Sequence, residues 1–434
     1  MRKAEWLNGG KRTAIVKGLR TPFEKAGTLF IRLTALDLGR MVVQELVQRA
    51  EIDPEAIDQV VFGQVIPGVT ATGIAREVLI AAGLPRQIEA HTVARACATS
   101  IQALTDATNS IALGVSEVAI VGGTESMSDV PIFASRPLAQ ALVEASRGKS
   151  LPEKIRPFRK LRPKDIVPKP PAIAEYSTGM TMGESAEKMA KENHISRKEQ
   201  DEIALASHRN AARAWEEGRF KDQVMHLPIP PSFERIADKD NIVRPDANIE
   251  ALSQLRPVFD RKYGTVTAGN SSPLTDGAAA LLVMSEERAK ALGYTPLGFV
   301  RAYAYGATDP ADQLLQGPAY AAPLALERAG MKLSDIDLFE MHEAFAAQVA
   351  SNLQALASPQ FAQRIGRGAP LGEVDRGRLN VNGGSIALGH PFGATGARVV
   401  MQALGELNRS NLGTALCTVC AAGGLGAAVV LERI

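Results

Sequence analysis

The first candidate for acid–base chemistry in this sequence is a histidine inside a glycine-rich loop. Residues 379–396 read Leu-Asn-Val-Asn-Gly-Gly-Ser-Ile-Ala-Leu-Gly-His-Pro-Phe-Gly-Ala-Thr-Gly. Glycines let a backbone approach a ligand closely, and Pro391 restricts the backbone of His390. The pattern therefore predicts that His390 is an acid–base group. A structural turn with an incidental histidine is the alternative, and it is favoured only if nothing else in the chain needs a base.

Cys97 is a candidate nucleophile because it follows a predicted strand and precedes a predicted helix over residues 98–113. The free N–H groups and the dipole at a helix start lower the pKa of a thiol. Such a thiolate could attack a carbonyl or thioester carbon after a nearby histidine accepts its proton. A small buried residue with no chemical role is the structural alternative.

The two remaining cysteines, Cys417 and Cys420, have CxxC spacing. Three cysteines in 434 residues exclude a disulfide scaffold. Residues three apart on a strand point to opposite faces, and no second CxxC completes a metal site, so neither a disulfide nor a metal is expected here. We expect Cys420, at the end of its strand, to be the exposed and reactive thiol and Cys417 to lie in the core.

His342 lies where a predicted strand, residues 336–340, turns into a helix over residues 344–356. One interpretation is a plain helix start with Glu343 in the first turn. The other is that His342 points into a site and polarises a thioester oxygen as an oxyanion-hole donor.

Composition limits the possible classes of protein. The chain is long enough for two or three domains, with 45% apolar and 22% charged residues and a net charge of +2. This charge predicts no nucleic-acid partner, and no apolar run is long enough to predict a transmembrane helix. Residues 1–10 resemble neither a signal peptide nor a transit peptide, so we expect a cytoplasmic protein.

Strands alternate with helices along most of the chain, which predicts an α/β fold with a parallel or mixed sheet. The predicted strands are residues 13–17, 59–63, 90–93, 117–121 (ended by Gly122 and Gly123), 278–284, 297–303, 336–340, 414–420 and 426–431. The predicted helices are residues 36–49, 73–82, 98–113, 182–193, 197–217, 320–329, 344–356, 395–407.

The pattern around Cys97 repeats around His390, as a strand, a turn, a helix and two further strands. Two duplicated halves packed together would bring both turns to a shared seam, where pockets form readily. We predict a first half in residues 1–125 and 258–290, an insertion in residues 126–257, and a second half in residues 291–434. The basic run at residues 154–169 could meet an anionic cofactor, a partner or a lipid surface, or be a solvated loop.

These motifs together resemble the thiolase family. The loop that carries His390 matches almost letter for letter, and Cys420-x-Ala-x-Gly-x-Gly matches the family's C-terminal cysteine motif. Arg-Ala-Cys97-Ala-Thr-Ser resembles its nucleophile turn, and Thr-Val-Thr-Ala-Gly-Asn-Ser-Ser over residues 265–272 also fits. The resemblance implies two similar α/β halves in a five-layered αβαβα core, with an inserted loop domain that binds coenzyme A.

The resemblance also implies residue roles. Cys97 would carry the acyl group, His390 would activate Cys97 and then the coenzyme A thiol, and Cys420 would exchange a proton with acetyl-CoA. Backbone N–H groups of Cys97 and Ala422 would bind the tetrahedral oxyanion. Three positions would contact coenzyme A, which is a co-substrate and not a permanently bound cofactor: Met182, Ala268 and Ser272.

Three departures from the common family pattern refine the expectation. His342 stands where many thiolases have asparagine. A histidine at this position is similar to the β subunit of the fatty-acid-oxidation multienzyme complex, and the long basic insertion is a second similarity to it. Ala94 replaces a usual polar residue, and Ala422 replaces a common glycine of which only the N–H is needed.

The resemblance thus implies a degradative enzyme that cleaves 3-ketoacyl-CoA with coenzyme A into acetyl-CoA and a shortened acyl-CoA. An acetyl-CoA C-acetyltransferase is the alternative, followed by a ketoacyl synthase and by a non-catalytic scaffold of the same shape. Family members are dimers or dimers of dimers, and assembly with a hydratase/dehydrogenase subunit is a further expectation.

Overall fold

The structure of the chain is a computed structural model that describes residues 10–169 and 174–433. Residues 1–9, on which most of the expectation about targeting segments depends, lie outside the described part. The described chain divides into a large unit, within residues 1–65, 73–129 and 174–434, and a small unit of residues 66–72 and 130–173.

The strands all belong to the large unit. They are β1 (Thr13–Arg20), β2 (Glu24–Lys25), β3 (Gln59–Gly63), β4 (Glu89–Val93), β5 (Val118–Glu125), β6 (Leu227–Pro228), β7 (Ile236–Ala237), β8 (Thr275–Ser285), β9 (Gly298–Ala307), β10 (Leu338–Met341), β11 (Thr414–Ala421) and β12 (Leu425–Glu432).

The α-helices occur in both units. Those of the large unit are α1 (Ala35–Ala50), α2 (Ile74–Ala81), α3 (Thr99–Ala112), α7 (Met182–Glu192), α8 (Arg197–Glu216), α9 (Ile249–Ser253), α10 (Glu286–Ala291), α11 (Gly317–Ala329), α12 (Ala346–Ala357), α13 (Pro359–Arg364), α14 (Ser385–Leu388) and α15 (Thr395–Ser410). Those of the small unit are α4 (Arg136–Arg147), α5 (Leu151–Ile155) and α6 (Pro163–Ile166).

The large unit contains a similar strand arrangement twice. In the first half the strand order is β1-β8-β5-β3-β4, and in the second half it is β9-β12-β11-β10. In the first half β3 is parallel to both β5 and β4, and in the second half β10 is parallel to β11, whereas the other neighbouring strands within each half are antiparallel. The halves join where β1 pairs with β9 at Ala14–Phe299 and Ile15–Gly298. The internal repeat predicted from the sequence is therefore visible in the strand order.

Alternating side chains of each sheet pack on two different helix layers. Leu281 of β8 belongs to a core that contains α3 and α15, whereas its neighbour Leu282 packs with α1 and α2. In the second sheet, Cys417 faces the α3–α15 layer and Leu416 faces α11. Because successive strand residues point to opposite faces, this alternation gives five layers in the order helix, sheet, helix, sheet, helix. The fold class expected from the sequence is confirmed.

One strand runs further than the sequence predicts. Gly122 and Gly123 were expected to end the strand after Val121, but β5 continues through both to Glu125. A Cβ on Gly122 would lie 2.2 Å from the carbonyl oxygen of Ala279, and one on Gly123 would lie 2.1 Å from that of Gly393. The two glycines are therefore positions of close backbone approach inside the strand.

The part of the small unit from Val130 onward lies within the predicted insertion and contains α4 to α6, whereas residues 66–72 come from the predicted first half. The other described parts of the insertion, residues 126–129 and the chain from Ala174 onward, are part of the large unit, where α7 and α8 pack on α12. Across both described ranges, no helix is long and apolar enough to cross a lipid bilayer.

Candidate active site

A sharp turn between β4 and α3 presents Cys97. Ala96 has a φ of +42°, a left-handed conformation that is unusual for a residue with a Cβ. The hydroxyl of Thr99 secures the turn, since it accepts from the backbone N–H of Arg95 (2.9 Å) and donates to the carbonyl of Ala96 (2.7 Å). The strand–turn–helix arrangement predicted around Cys97 is therefore present, and Cys97 keeps partial exposure.

His390 comes to Cys97 from the other half of the repeat. Its Nε2 lies 3.2 Å from Sγ of Cys97, and its Nδ1 lies 2.6 Å from Oγ1 of Thr395. Thr395 in turn donates to the carbonyl of Pro391 (3.1 Å), so its oxygen is free to accept the Nδ1–H. The hydrogen-bond network thus assigns the proton to Nδ1 and leaves the lone pair on Nε2 facing the thiol.

Burial decides the charge state of this pair. It raises the pKa of the Cys97 thiol to about 12, although the backbone N–H groups of Ala422 and of Cys97 itself lower it. Burial, together with the positive charge of Arg398, lowers the pKa of His390 to about 3. The expectation that the helix start makes Cys97 a thiolate is therefore wrong, because desolvation outweighs the helix dipole. Both groups are neutral before substrate arrives.

His342 lies directly beside His390, with the two ring centres 4.1 Å apart. Its Nδ1 is 2.7 Å from Oγ of Ser385, and that oxygen accepts from Nη2 of Arg398 at 2.6 Å. Its Nε2 is buried and has no hydrogen-bond partner among the described residues. Burial, followed by the charges at His390 and Arg398, lowers the pKa of His342 well below its usual value.

Cys420 reaches the same place at the end of β11, but it is buried and not exposed as the sequence suggested. The pKa of Cys420 is raised well above its usual value by burial and then by the neighbouring Cys97. The loop after Cys420 is bound by Glu175, whose carboxylate accepts from the backbone N–H of Gly423 at 2.9 Å. Cys417 is buried in the core between the sheets, as expected.

A buried hydrogen-bond network around Glu343, which the sequence patterns do not predict, connects the loop of His342 to the loop of His390. The carboxylate of Glu343 accepts from Oγ of Ser207 (2.7 Å), from Nδ2 of Asn380 (2.6 Å) and from the backbone N–H of Ile386 (3.2 Å). Asn380 also bonds both the N–H and the carbonyl of Met341 at 2.9 Å. No local sequence pattern reveals this contact, because Glu343 is typical of the first turn of a helix and Asn380 is one polar residue of a glycine-rich loop.

The three positions expected to contact coenzyme A differ in their surroundings. Ser272 donates from its backbone N–H and its hydroxyl to the carbonyl of Ala344, both at 3.0 Å, just after the His342 turn. Met182 begins α7 and packs against the cluster that includes Cys420. Ala268 is exposed.

The sulfur of Cys97 and one ring nitrogen from each of His342 and His390 lie within 4.8 Å of one another. A thiol, a base with a free lone pair and a buried N–H donor therefore converge on one volume. This set can attack a carbonyl carbon, move the thiol proton and bind a developing oxyanion.

Comparison with known proteins identifies relatives across almost the whole chain. The family model described as "Thiolase, N-terminal domain" matches residues 13–287, and that described as "Thiolase, C-terminal domain" matches residues 294–433. A protein of Pectobacterium carotovorum named 3-ketoacyl-CoA thiolase is 54% identical over 98% of this chain and 97% of its own length. One of the same name from Shewanella piezotolerans is 50% identical over the same shares.

Two solved structures are similar to the fold. The acetyl-CoA acetyltransferase of Bacillus anthracis has a TM-score of 0.85 at 33% identity, with 98% of this chain and 100% of that chain covered. The human mitochondrial 3-ketoacyl-CoA thiolase has a TM-score of 0.81 at 30% identity, with 98% and 99% covered.

Proposed function

The chain belongs to the thiolase family, and from this premise we propose that it is a degradative 3-ketoacyl-CoA thiolase of fatty-acid oxidation. It cleaves 3-ketoacyl-CoA with coenzyme A into acetyl-CoA and a shortened acyl-CoA. The observation that carries the proposal is the 3.2 Å separation of Nε2 of His390 and Sγ of Cys97, since it puts a base on the only partly exposed thiol among the three cysteines.

The first half-reaction transfers the acyl group to Cys97. The thiol gives its proton to Nε2 of His390 while the sulfur attacks the 3-keto carbon, and the backbone N–H groups of Cys97 and Ala422 bind the resulting oxyanion. The bond between C2 and C3 then breaks, and its electron pair forms the enolate of acetyl-CoA. Cys420 gives its proton to C2, which completes acetyl-CoA and leaves acyl-Cys97.

His342 stabilises the enolate in that step. Ser385 accepts from Arg398, so its own proton is available to Nδ1 of His342, and the ring proton of neutral His342 then lies on Nε2. This buried N–H needs an acceptor, and the thioester oxygen of the enolate supplies one as its charge grows.

The second half-reaction releases the product. The proton that His390 took from Cys97 passes to the Cys420 thiolate, so that His390 and Cys420 are both neutral again. His390 then takes the proton of the coenzyme A thiol as its sulfur attacks acyl-Cys97, and the departing Cys97 regains that proton. Burial keeps His390 neutral at the start of each half-reaction, because its pKa lies far below neutrality.

An acetyl-CoA C-acetyltransferase is the second candidate, because the acetyl-CoA acetyltransferase of Bacillus anthracis shares the fold with a TM-score of 0.85. Activity confined to acetoacetyl-CoA would favour it over the leading proposal. A scaffold without activity is a third candidate, and any coenzyme-A-dependent cleavage that disappears with Cys97→Ala would exclude it.

The test of the proposed function is the mass of the protein after incubation with a 3-ketoacyl-CoA. We expect one acyl adduct on the peptide that contains Cys97, removed when coenzyme A is added. The adduct should be absent from Cys97→Ala and present in Cys417→Ala, a matched control in which a buried core thiol is lost. An adduct on another residue, or unchanged cleavage by Cys97→Ala, would contradict the assignment.

The proposal also covers where coenzyme A binds and how the protein assembles. Residues 126–257 form the inserted loop domain that binds coenzyme A, residues 1–125 and 258–290 form the first half, and residues 291–434 form the second half. Met182, Ala268 and Ser272 contact coenzyme A. The protein works in the cytoplasm as a homodimer or homotetramer and assembles with a hydratase/dehydrogenase subunit. Size measurement of the co-expressed proteins tests this assembly, and a free thiolase alone would contradict it.

A further inference from the structure

Cys97 and the two histidines beside it, His342 and His390, also have the side-chain types of a zinc site. Zinc binds thiolate sulfur at about 2.3 Å and imidazole nitrogen at about 2.0 Å, so its ligand atoms lie roughly 3.5 Å apart in a tetrahedron. The sulfur of Cys97 and Nε2 of His390 are 3.2 Å apart, and one nitrogen of His342 lies within 4.8 Å of both. Small side-chain movements would bring all three atoms onto one ion.

The second nitrogen of each histidine is already held in place. Nδ1 of His390 lies 2.6 Å from the hydroxyl of Thr395, and Nδ1 of His342 lies 2.7 Å from the hydroxyl of Ser385. Metal-binding histidines are oriented by such contacts when the nitrogen that does not bind the ion donates its proton, as Nδ1 of His390 does to Thr395. Nε2 of His342 is buried without a partner among the described residues, so it is the nitrogen that faces the ion.

We propose that Cys97, His342 and His390 form an inhibitory site for Zn²⁺, with water as a fourth ligand. Binding forms one sulfur–zinc and two nitrogen–zinc bonds, and the thiol proton of Cys97 leaves to solvent. The ion occupies the nucleophile and the base together, so it competes with acyl-CoA. Inhibition rests on the proposed function, whereas binding of the ion does not.

Metal binding and the proposed catalysis need opposite forms of His342. Catalysis uses the N–H at Nε2, whereas a metal needs the lone pair there and the proton on Nδ1. The bond from Arg398 to Ser385 favours the first form, because it leaves the hydroxyl proton of Ser385 to point at Nδ1. Replacing Ser385 by alanine removes this preference, so it should strengthen metal binding while it slows turnover.

The test uses Co²⁺ as a spectroscopic probe on full-length protein that has been treated with a chelator and desalted. We expect one equivalent to bind, with a thiolate-to-cobalt charge-transfer band and visible bands of a four-coordinate ion, and Zn²⁺ to displace it. Cys97→Ala should lose the charge-transfer band, and Cys417→Ala should keep it. His342→Ala should weaken binding about tenfold or more, and Ser385→Ala should strengthen it about threefold to tenfold.

Each result supports or overturns the site independently of turnover. Binding without a charge-transfer band, or binding that His342→Ala leaves unchanged, would overturn the proposal. Cleavage of 3-ketoacyl-CoA by a protein that binds no Co²⁺ would refute the metal site alone. Cobalt binding at Cys97 by a protein without thiolase activity would refute the proposed function alone.

Discussion

Ser385 lies 2.7 Å from Nδ1 of His342 and controls which nitrogen of that ring carries the proton. The opposite arrangement holds at His390, where Thr395 accepts from Nδ1 and leaves Nε2 as a base. The two rings are 4.1 Å apart and face the same volume. The two neighbouring histidines can therefore have opposite roles: His342 donates a hydrogen bond from Nε2, and His390 accepts a proton at Nε2.

Replacing Ser385 by alanine tests the first of these arrangements. The variant should lower kcat about tenfold, since His342 then presents Nε2–H only part of the time, and KM should change little. The matched control is Ser351→Ala, because Ser351 is equally buried in α12 and its hydroxyl has no partner in the described structure. Equal activities of the two variants in steady-state assays would contradict the role of Ser385, and restored activity in Ser385→Thr would support it.

Replacing Thr395 by valine tests the second arrangement with little change in volume. Without an acceptor at Nδ1, His390 spends part of its time with the proton on Nε2 and cannot take the thiol proton. We expect the rate of acyl transfer to Cys97 to fall about tenfold to a hundredfold. Thr13→Val is the control, since Thr13 is a buried threonine of β1 whose hydroxyl has no hydrogen-bond partner among the described residues. Single-turnover adduct formation that is equally fast in both variants would be inconsistent with this account.

The sequence predicted the parts of the site that depend on local patterns. The turn at Cys97 and the glycine loop at His390 have short-range signatures, and the repeat of strands predicts that the two meet at a seam. Helices such as α7 and α8 have the predicted starts at Met182 and Arg197, because a capping residue precedes each one.

The parts that sequence reasoning missed depend on contacts between distant elements. Cys420 is buried in an apolar cluster with side chains such as Met189 of α7 and Val349 of α12, which are far from it in the sequence. The contact between Arg398 and Ser385 joins α15 to α14, and no local pattern distinguishes this arginine from a surface one. The predicted direction of the Cys97 pKa shift was wrong, because the desolvation that raises this pKa is a property of the packed site and not of the helix start.

The pH dependence of alkylation tests the charge state of Cys97. Because its pKa is raised to about 12, the thiolate fraction should grow with pH well beyond the range of an ordinary cysteine. Iodoacetamide labelling of Cys97, followed by peptide mass, should therefore rise about tenfold per pH unit from pH 7 to pH 10 without a plateau. Cys97→Ala controls for labelling elsewhere. A plateau near pH 7 would mean that thiolate and imidazolium already exist in the free enzyme.

A glycine in β5 provides a steric test of the loop that follows His390. A methyl group on Gly123 would meet the carbonyl oxygen of Gly393 at 2.1 Å, and backbone cannot move aside as a flexible side chain can. Gly123→Ala should destabilise the protein by about 2 kcal/mol and displace the loop, so that acyl-adduct formation falls as well. Gly368→Ala should change neither property, since no atom lies within 4 Å of its added methyl group. Thermal unfolding and adduct mass measure the two effects.

Glu24 provides a prediction about stability that is separate from catalysis. Burial, followed by the negative charge of Asp240, raises the pKa of its carboxyl from 4.5 to about 8. In the folded state the group therefore stays protonated over a range in which it ionises in the unfolded chain. The contribution of protonated Glu24 to the free energy of unfolding is fully present below about pH 4.5, and it is lost as the pH rises through about 8.

Glu24→Gln should accordingly flatten the fall in melting temperature between pH 5 and pH 8 and raise the melting temperature at pH 8 by a few degrees. The matched control is Glu216→Gln, which removes an exposed carboxylate of α8 and should follow the wild-type pH curve. Thermal unfolding in buffers of equal ionic strength measures both variants. A curve for Glu24→Gln that runs parallel to wild type would mean that Glu24 is already ionised in the folded protein.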